Sequence, residues 1–189
     1  MRPSNPALMA ASRSLFEQRK PLASEWAQKL SHQHTGTRDF PPALLERELR
    51  LLVDLVAEMA GPLRREAREI WDKASAHYGR TAAARGLVAG EVVEEFAVFR
   101  EILTSELAAG LASLRPRRAM AVLLNLHRVL DQGIVQAVAG YTDALVAELF
   151  IQDGVPTSGN SMEAADIERQ LTALEQELHQ LLSTPAGGM

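Results

Sequence analysis

Three observations predict an all-α chain: a multi-helix bundle of about five helices, then a short coiled-coil helix at the carboxyl end. Apolar residues recur three and four positions apart along most of the sequence, the period of one helix face. Proline and glycine fall between those stretches, and no segment reads convincingly as a strand. The 189 residues, 47% apolar and 23% charged, suffice for one domain with an appendage and are too few for two full domains.

The first helical stretch carries Leu15, Leu22, Trp26 and Leu30 among good helix formers. Pro21 removes a backbone donor there, so a kink or two short helices are expected. Residues 31–39, with His32, His34 and Gly36, read as a loop. Pro41 and Pro42 open the second helix, where a missing N–H costs nothing. Leu44, Leu45, Leu49, Leu52, Val56 and Met59 form its stripe until Gly61 and Pro62 stop it. A third helix over about 62–78 turns Leu63, Ala67, Ile70 and Trp71 inward, and Gly79 is expected to close it. Val92, Phe96, Phe99, Leu103 and Leu107 define a fourth over about 89–109. After a loop at 110–118 the fifth runs to about Gln152, a reach of roughly 50 Å if continuous, with a bend expected at Gly133 or Gly140.

Residues 1–152 thus form the helical domain, 153–161 a flexible polar linker, 162–184 an amphipathic helix and 185–189 a disordered tail. Ile167, Leu171, Leu174, Leu178 and Leu181 repeat four and three apart, a coiled-coil seam. Under three heptads are marginal alone, so this helix needs a partner protein or the main domain to dock on.

A net charge of −4 without a basic block argues against nucleic acid and anionic membranes as partners. No run of about 18 apolar residues predicts a membrane span, and the amino terminus lacks the apolar core of a secretory signal. The absence of cysteine removes disulfides and thiolate chemistry and fits a cytoplasmic protein. There is no Glu-x-x-His, His-Glu-x-x-His, phosphate-cradling glycine loop or Gly-x-Ser-x-Gly elbow. The expectation is a non-catalytic protein with no metal and no cofactor.

Arg100 and Asp131 each interrupt an apolar helix near its inward face, so they are expected to form a structural ion pair. Glu94 and Glu95 read as a solvated edge; an unrecognised enzymatic site would centre on Arg100, Glu95 and Asp131, with no substrate indicated. His77 closes the third helix, where a globin-like chain would present an iron ligand, and is the candidate haem ligand. His32 and His34 read as solvated, and His127 as a core or interface histidine. The fifth helix shows a large apolar face (Leu123, Leu130, Ile134, Val138, Tyr141, Leu145, Leu149) beside a small-residue stripe (Val129, Gly133, Gly140, Ala144, Ala147). That stripe serves either packing within one subunit or a homodimer seam about a two-fold axis. The dimer is preferred, because a helix apolar on two sides must bury both.

The segments HYGRTAAARGLVAGEVVEEFAVFREIL (77–103) and LNLHRVLDQGIVQAVAGYTDAL (124–145) resemble the RsbR/RsbRD-type amino-terminal sensor domain. The matching positions are Arg85, Gly86, Glu95, Phe96, Arg100, Leu130, Asp131 and Tyr141, and LFEQRKPLASEWAQKL (15–30) is similar to that family's opening helix. The resemblance covers roughly residues 10–150 and rests on short, largely apolar motifs. It implies a haem-free, globin-like, usually dimeric bundle that passes an input to an output such as a STAS domain or histidine kinase in bacterial stress signalling. Here the chain departs, because one short helix follows the linker and the output lies in another protein or outside this chain. The functional expectation is a non-catalytic, homodimeric sensor or adaptor with a signalling partner. The alternative is a haem- or small-ligand-binding globin-like protein using His77.

Overall fold

A computed structural model of the chain describes residues 6–33, 40–152 and 164–183. These form seven helices in chain order: α1 (Pro6–Glu17), α2 (Arg19–Gln33), α3 (Pro42–Ala60), α4 (Arg64–Arg85), α5 (Ala89–Ala112), α6 (Pro116–Gln152) and α7 (Ala164–Ser183). The expected linker at 153–161, the loop residues 34–39 with His34, and the tail at 185–189 lie outside the described residues. No helix among those described is long and apolar enough to cross a membrane.

Pro21 does divide the first stretch. It sits in the first turn of α2, where its missing N–H leaves no helical bond unmade. Pro41 and Gly61 bound α3 as the dipeptides predict. The expected stop at Gly79 is incorrect, because α4 continues to Arg85 and ends at Gly86. Among the described residues Gly86 alone takes a positive φ, 83°, a conformation that favours glycine. Its N–H bonds to the Ala83 carbonyl at 2.9 Å and that of Leu87 to Ala82 at 3.1 Å, so the last helical carbonyls are satisfied. Leu87 is buried beneath this turn.

Gly79 has a different task, since α4 and α6 meet there at backbone distance. A Cβ on Gly79 would stand 1.8 Å from the Ala137 carbonyl oxygen, and one on Gly140 2.0 Å from that of Ala76. A Cβ on Gly133 would meet the Trp71 ring at 2.4 Å. The small-residue stripe therefore faces its own chain: Val129, Gly133 and Gly140 are buried against α4, which corrects their assignment to a homodimer seam. Ala144 and Ala147, further along, are half-buried. The large apolar face is displaced outward in consequence. Leu130 and Tyr141 are buried, Leu123, Ile134 and Val138 are half-buried, and Leu145 and Leu149 are exposed.

α4 lies at the centre, packed against α3, α6 and α7, while α2 and α5 close the side beyond its aromatic face. Trp26 stacks on Phe99 with ring centroids 4.0 Å apart and planes 3° from parallel. Tyr78 meets Phe96 edge-on at 5.5 Å, so α2, α4 and α5 share one aromatic cluster. Trp71 donates to the Val129 carbonyl at 3.2 Å and ties α4 to α6 again.

Glycine substitutions should separate contact from propensity. Gly79→Ala or Gly140→Ala, each driving a methyl group into backbone, should cost about 3 kcal/mol in urea unfolding. Gly110→Ala, which meets nothing within 4 Å late in α5, should gain about 0.5 kcal/mol. Equal effects at the three positions would contradict the close crossing.

Candidate functional site

Two carboxylates, Glu95 and Glu48, are buried in this interior, each in its own polar cluster. Burying an ionised carboxylate is costly unless it is paired and hydrogen-bonded, so what each one meets decides what it can do.

Glu95 on α5 meets a guanidinium. Arg85, in the last turn of α4, donates from both terminal nitrogens to its two oxygens at 2.9 and 2.7 Å, a bidentate fork. Tyr78 Oη donates to Oε2 at 2.6 Å, and Trp26 Nε1 donates to the Glu95 backbone carbonyl at 3.1 Å. Glu95 is fully buried, which corrects its reading as a solvated edge. Its spacing carried the signal: three residues after Val92 and four before Phe99, it shares their face, whereas Glu94 points to solvent. Burial works against the Arg85 cation, but Tyr78 and Glu95 outweigh it and raise its pKa above the ordinary arginine value. Burial first, and then the Glu95 carboxylate, push the Tyr78 phenol well above its usual range. A carboxylate closed off from water in this way cannot meet a substrate; the cluster fixes how α2, α4 and α5 sit together.

Glu48 on α3 meets a histidine. His77 Nδ1 lies 2.5 Å from Glu48 Oε1, and Thr81, one turn further along α4, donates to the same oxygen at 3.0 Å. Oε2 is buried without a hydrogen-bond partner among the described residues. The second ring nitrogen, Nε2, lies 3.1 Å from the carbonyl oxygen of Ile167 in the first turn of α7. Both nitrogens are thus committed and the ring is buried, so these residues do not fit a haem on His77. Its chain position had suggested an iron ligand; its surroundings are those of a hydrogen-bonded core histidine.

α7 closes this cluster. Ile167, Leu171, Leu174 and Leu178 are buried, and Leu181 is half-buried. The helix packs on α3 and α4 of its own chain, so the seam expected to take a partner is covered internally. Around the rim, Arg47 reaches Glu175 at 2.7 Å, Glu168 at 3.2 Å and Thr172 at 3.1 Å, while Lys73 bonds Glu177 at 2.9 Å. Such half-exposed pairs orient the helix and add little energy. A groove of about 180 Å³ remains between α3 and α7, lined by Arg50, Asp54, Glu175 and His179 among others.

Comparison with protein-family models, curated proteins and solved structures found no match to this chain. Arg100 and Asp131 do bond to each other, at 2.5 Å, but on the surface, with Asp131 60% exposed. They stand apart from Glu95, whose partners are Arg85 and Tyr78, so the three do not make one reactive cluster. His127 lines an open groove with Arg100 and Thr104; His32 and His179 are exposed. Among the described residues no group of three or more His, Asp or Glu is placed to hold a metal ion.

Two stability measurements test these assignments. Arg85→Met should lose about 3–5 kcal/mol by stranding the Glu95 charge, and adding Glu95→Gln should restore most of it. Asp54, held 3.5 Å from Arg19, has its pKa raised from 3.8 to about 6, by burial first and Glu58 in addition, against Arg19 and Arg50. A carboxyl raised on folding stabilises while protonated, and that contribution is lost as pH rises through its folded value. Between about pH 4 and 7, Asp54→Asn should gain on the parent by roughly 2 kcal/mol; a constant difference would refute the buried carboxyl.

Proposed function

We propose that this chain is a non-catalytic sensor or adaptor that dimerises through α6 and relays an input to a partner protein. The observation that carries this reading is the outer face of α6. Leu124, Val135 and Val146, eleven residues apart, are 47%, 63% and 43% exposed, and Leu145 (39%) and Leu149 (61%) widen the strip. The inner face packs on α4 through glycines, so the outer strip, uncovered among the described residues, can take a second molecule. A 37-residue helix of about 55 Å offers a rod long enough for the area that stable interfaces bury.

The polar interior supports the same reading from the opposite side. Its buried carboxylates are engaged with Arg85, Tyr78, His77 and Thr81, an arrangement that sets helix geometry. The resemblance to RsbR-type sensor domains points to the same class, with a kinase or STAS-type protein as the output. A signal acts on such a module when it binds two helix packings with different affinity. α6, in contact with α3, α4 and α5, is the element on which those packings would differ.

The test is mass in solution. Sedimentation should show a dimer for the parent chain and a monomer for Val135→Glu/Leu149→Glu, with helicity unchanged because both positions are exposed. A parent chain that sediments as a monomer at all accessible concentrations would remove the dimer from the reading.

A further inference from the structure

The polar contact that α7 makes deepest in the interior is one carbonyl, that of Ile167, and what it meets is titratable. A carbonyl only accepts hydrogen bonds, so His77 Nε2 carries a proton while α7 is docked. The other nitrogen, Nδ1, faces a carboxylate oxygen, which is likewise an acceptor, so a second proton lies between them while α7 is docked. Either imidazolium faces carboxylate or imidazole faces carboxylic acid, and in both forms the pair is neutral overall. Glu48 cannot compensate for a lost proton, because Oε1 already accepts from Thr81 and Oε2 has no hydrogen-bond partner among the described residues.

We propose that α7 is a releasable helix held down by the proton shared between His77 and Glu48, and that its docking weakens as pH rises and that proton is removed. After its loss the single ring proton has two places to be. On Nε2, it leaves two lone pairs opposed between Nδ1 and Oε1; on Nδ1, it leaves a bare Nε2 opposite the Ile167 carbonyl. Each arrangement also leaves a net negative charge in an interior that supports charge poorly. Lifting the first turn of α7 relieves both faults, since water then reaches Nε2 and Glu48. The direction follows: docking is favoured at low pH and lost at high pH.

The other groups around the pair do not supply the missing proton. On α4, Arg80 and Arg85 both feel the Glu48 charge, but Arg85 is committed to Glu95 of α5 and Arg80 also interacts with Asp143 of α6. Tyr78 donates to Glu95. From α7, the group facing the ring is the Ile167 carbonyl, while Glu168, Glu175 and Glu177 pair with Arg47 and Lys73 at the rim. This inference stands independently of the sensor reading, since it holds for a monomer or a dimer.

The chain has no cysteine, so spin labels at Glu66→Cys and Gln176→Cys, both exposed, give one α4–α7 distance. The ratio of docked to released populations is read between about pH 7 and pH 9, above the value of about 6 at which Asp54 in the α3–α7 groove titrates, at a urea concentration where both populate. Near-UV circular dichroism confirms that the bundle stays folded. The ratio should fall about tenfold or more, the loss of a charge-assisted hydrogen bond. Glu48→Gln should make the ratio independent of pH, because an amide donates to Nδ1 and leaves the proton on Nε2 without a shared one. Should that variant fail to fold, His77→Gln removes the titrating ring and must flatten the profile too. A pH-independent ratio in the parent, or the same fall in a folded variant, overturns the proposal.

Discussion

The constraint on which the rest depends is the backbone contact between α4 and α6. With Gly79 against Ala137 and Gly140 against Ala76, no side chain separates the two helices. That closeness sets the carboxyl-terminal half of α4 deep enough that no residue from Ala74 to Arg85 is exposed. His77 and Thr81, one turn apart, point to α3 and α7, while Tyr78 and Arg85, two turns apart, point to α5. A helix with that many polar residues is ordinarily a surface helix. Here it is the centre, and its polar groups must be satisfied by neighbours.

The two buried carboxylates are satisfied in ways that differ in kind. Glu95 faces a guanidinium, a permanent cation that bonds both of its oxygens. Glu48 faces an imidazole through one oxygen only. The first cluster is therefore a fixed joint between α2, α4 and α5, and the second is conditional. It is also the one that α7 rests on, beside four buried apolar side chains and a rim of half-exposed ion pairs.

The all-α class and most helix boundaries were legible because they depend on local period and on proline and glycine. Pro41, Gly61 and the seam from Ile167 are examples. Gly79 misleads because a glycine after a tyrosine resembles a stop, and the reason for its presence is Ala137, far along the chain. The inward face of α6 misleads for a related reason. Size suggests that Leu145 and Leu149 belong inside, but the wall opposite is another helix's backbone, so the small residues are the buried ones. Glu95 was recoverable from its register with Val92 and Phe99. The pairing of His77 with Glu48 was not, since it exists only once α3, α4 and α7 have come together.

The two tryptophans occupy different joints. Trp26 is stacked on Phe99 and bonded to the Glu95 carbonyl, between α2 and α5; Trp71 covers Gly133 and bonds to Val129, between α4 and α6. Both indoles are fully enclosed. The molecule therefore carries two indole fluorophores, one per joint, and replacing either with phenylalanine leaves an optical reporter on the other. A disturbance that opens one joint alone would shift the emission of one indole towards the red and leave its counterpart unchanged, with no dye attached.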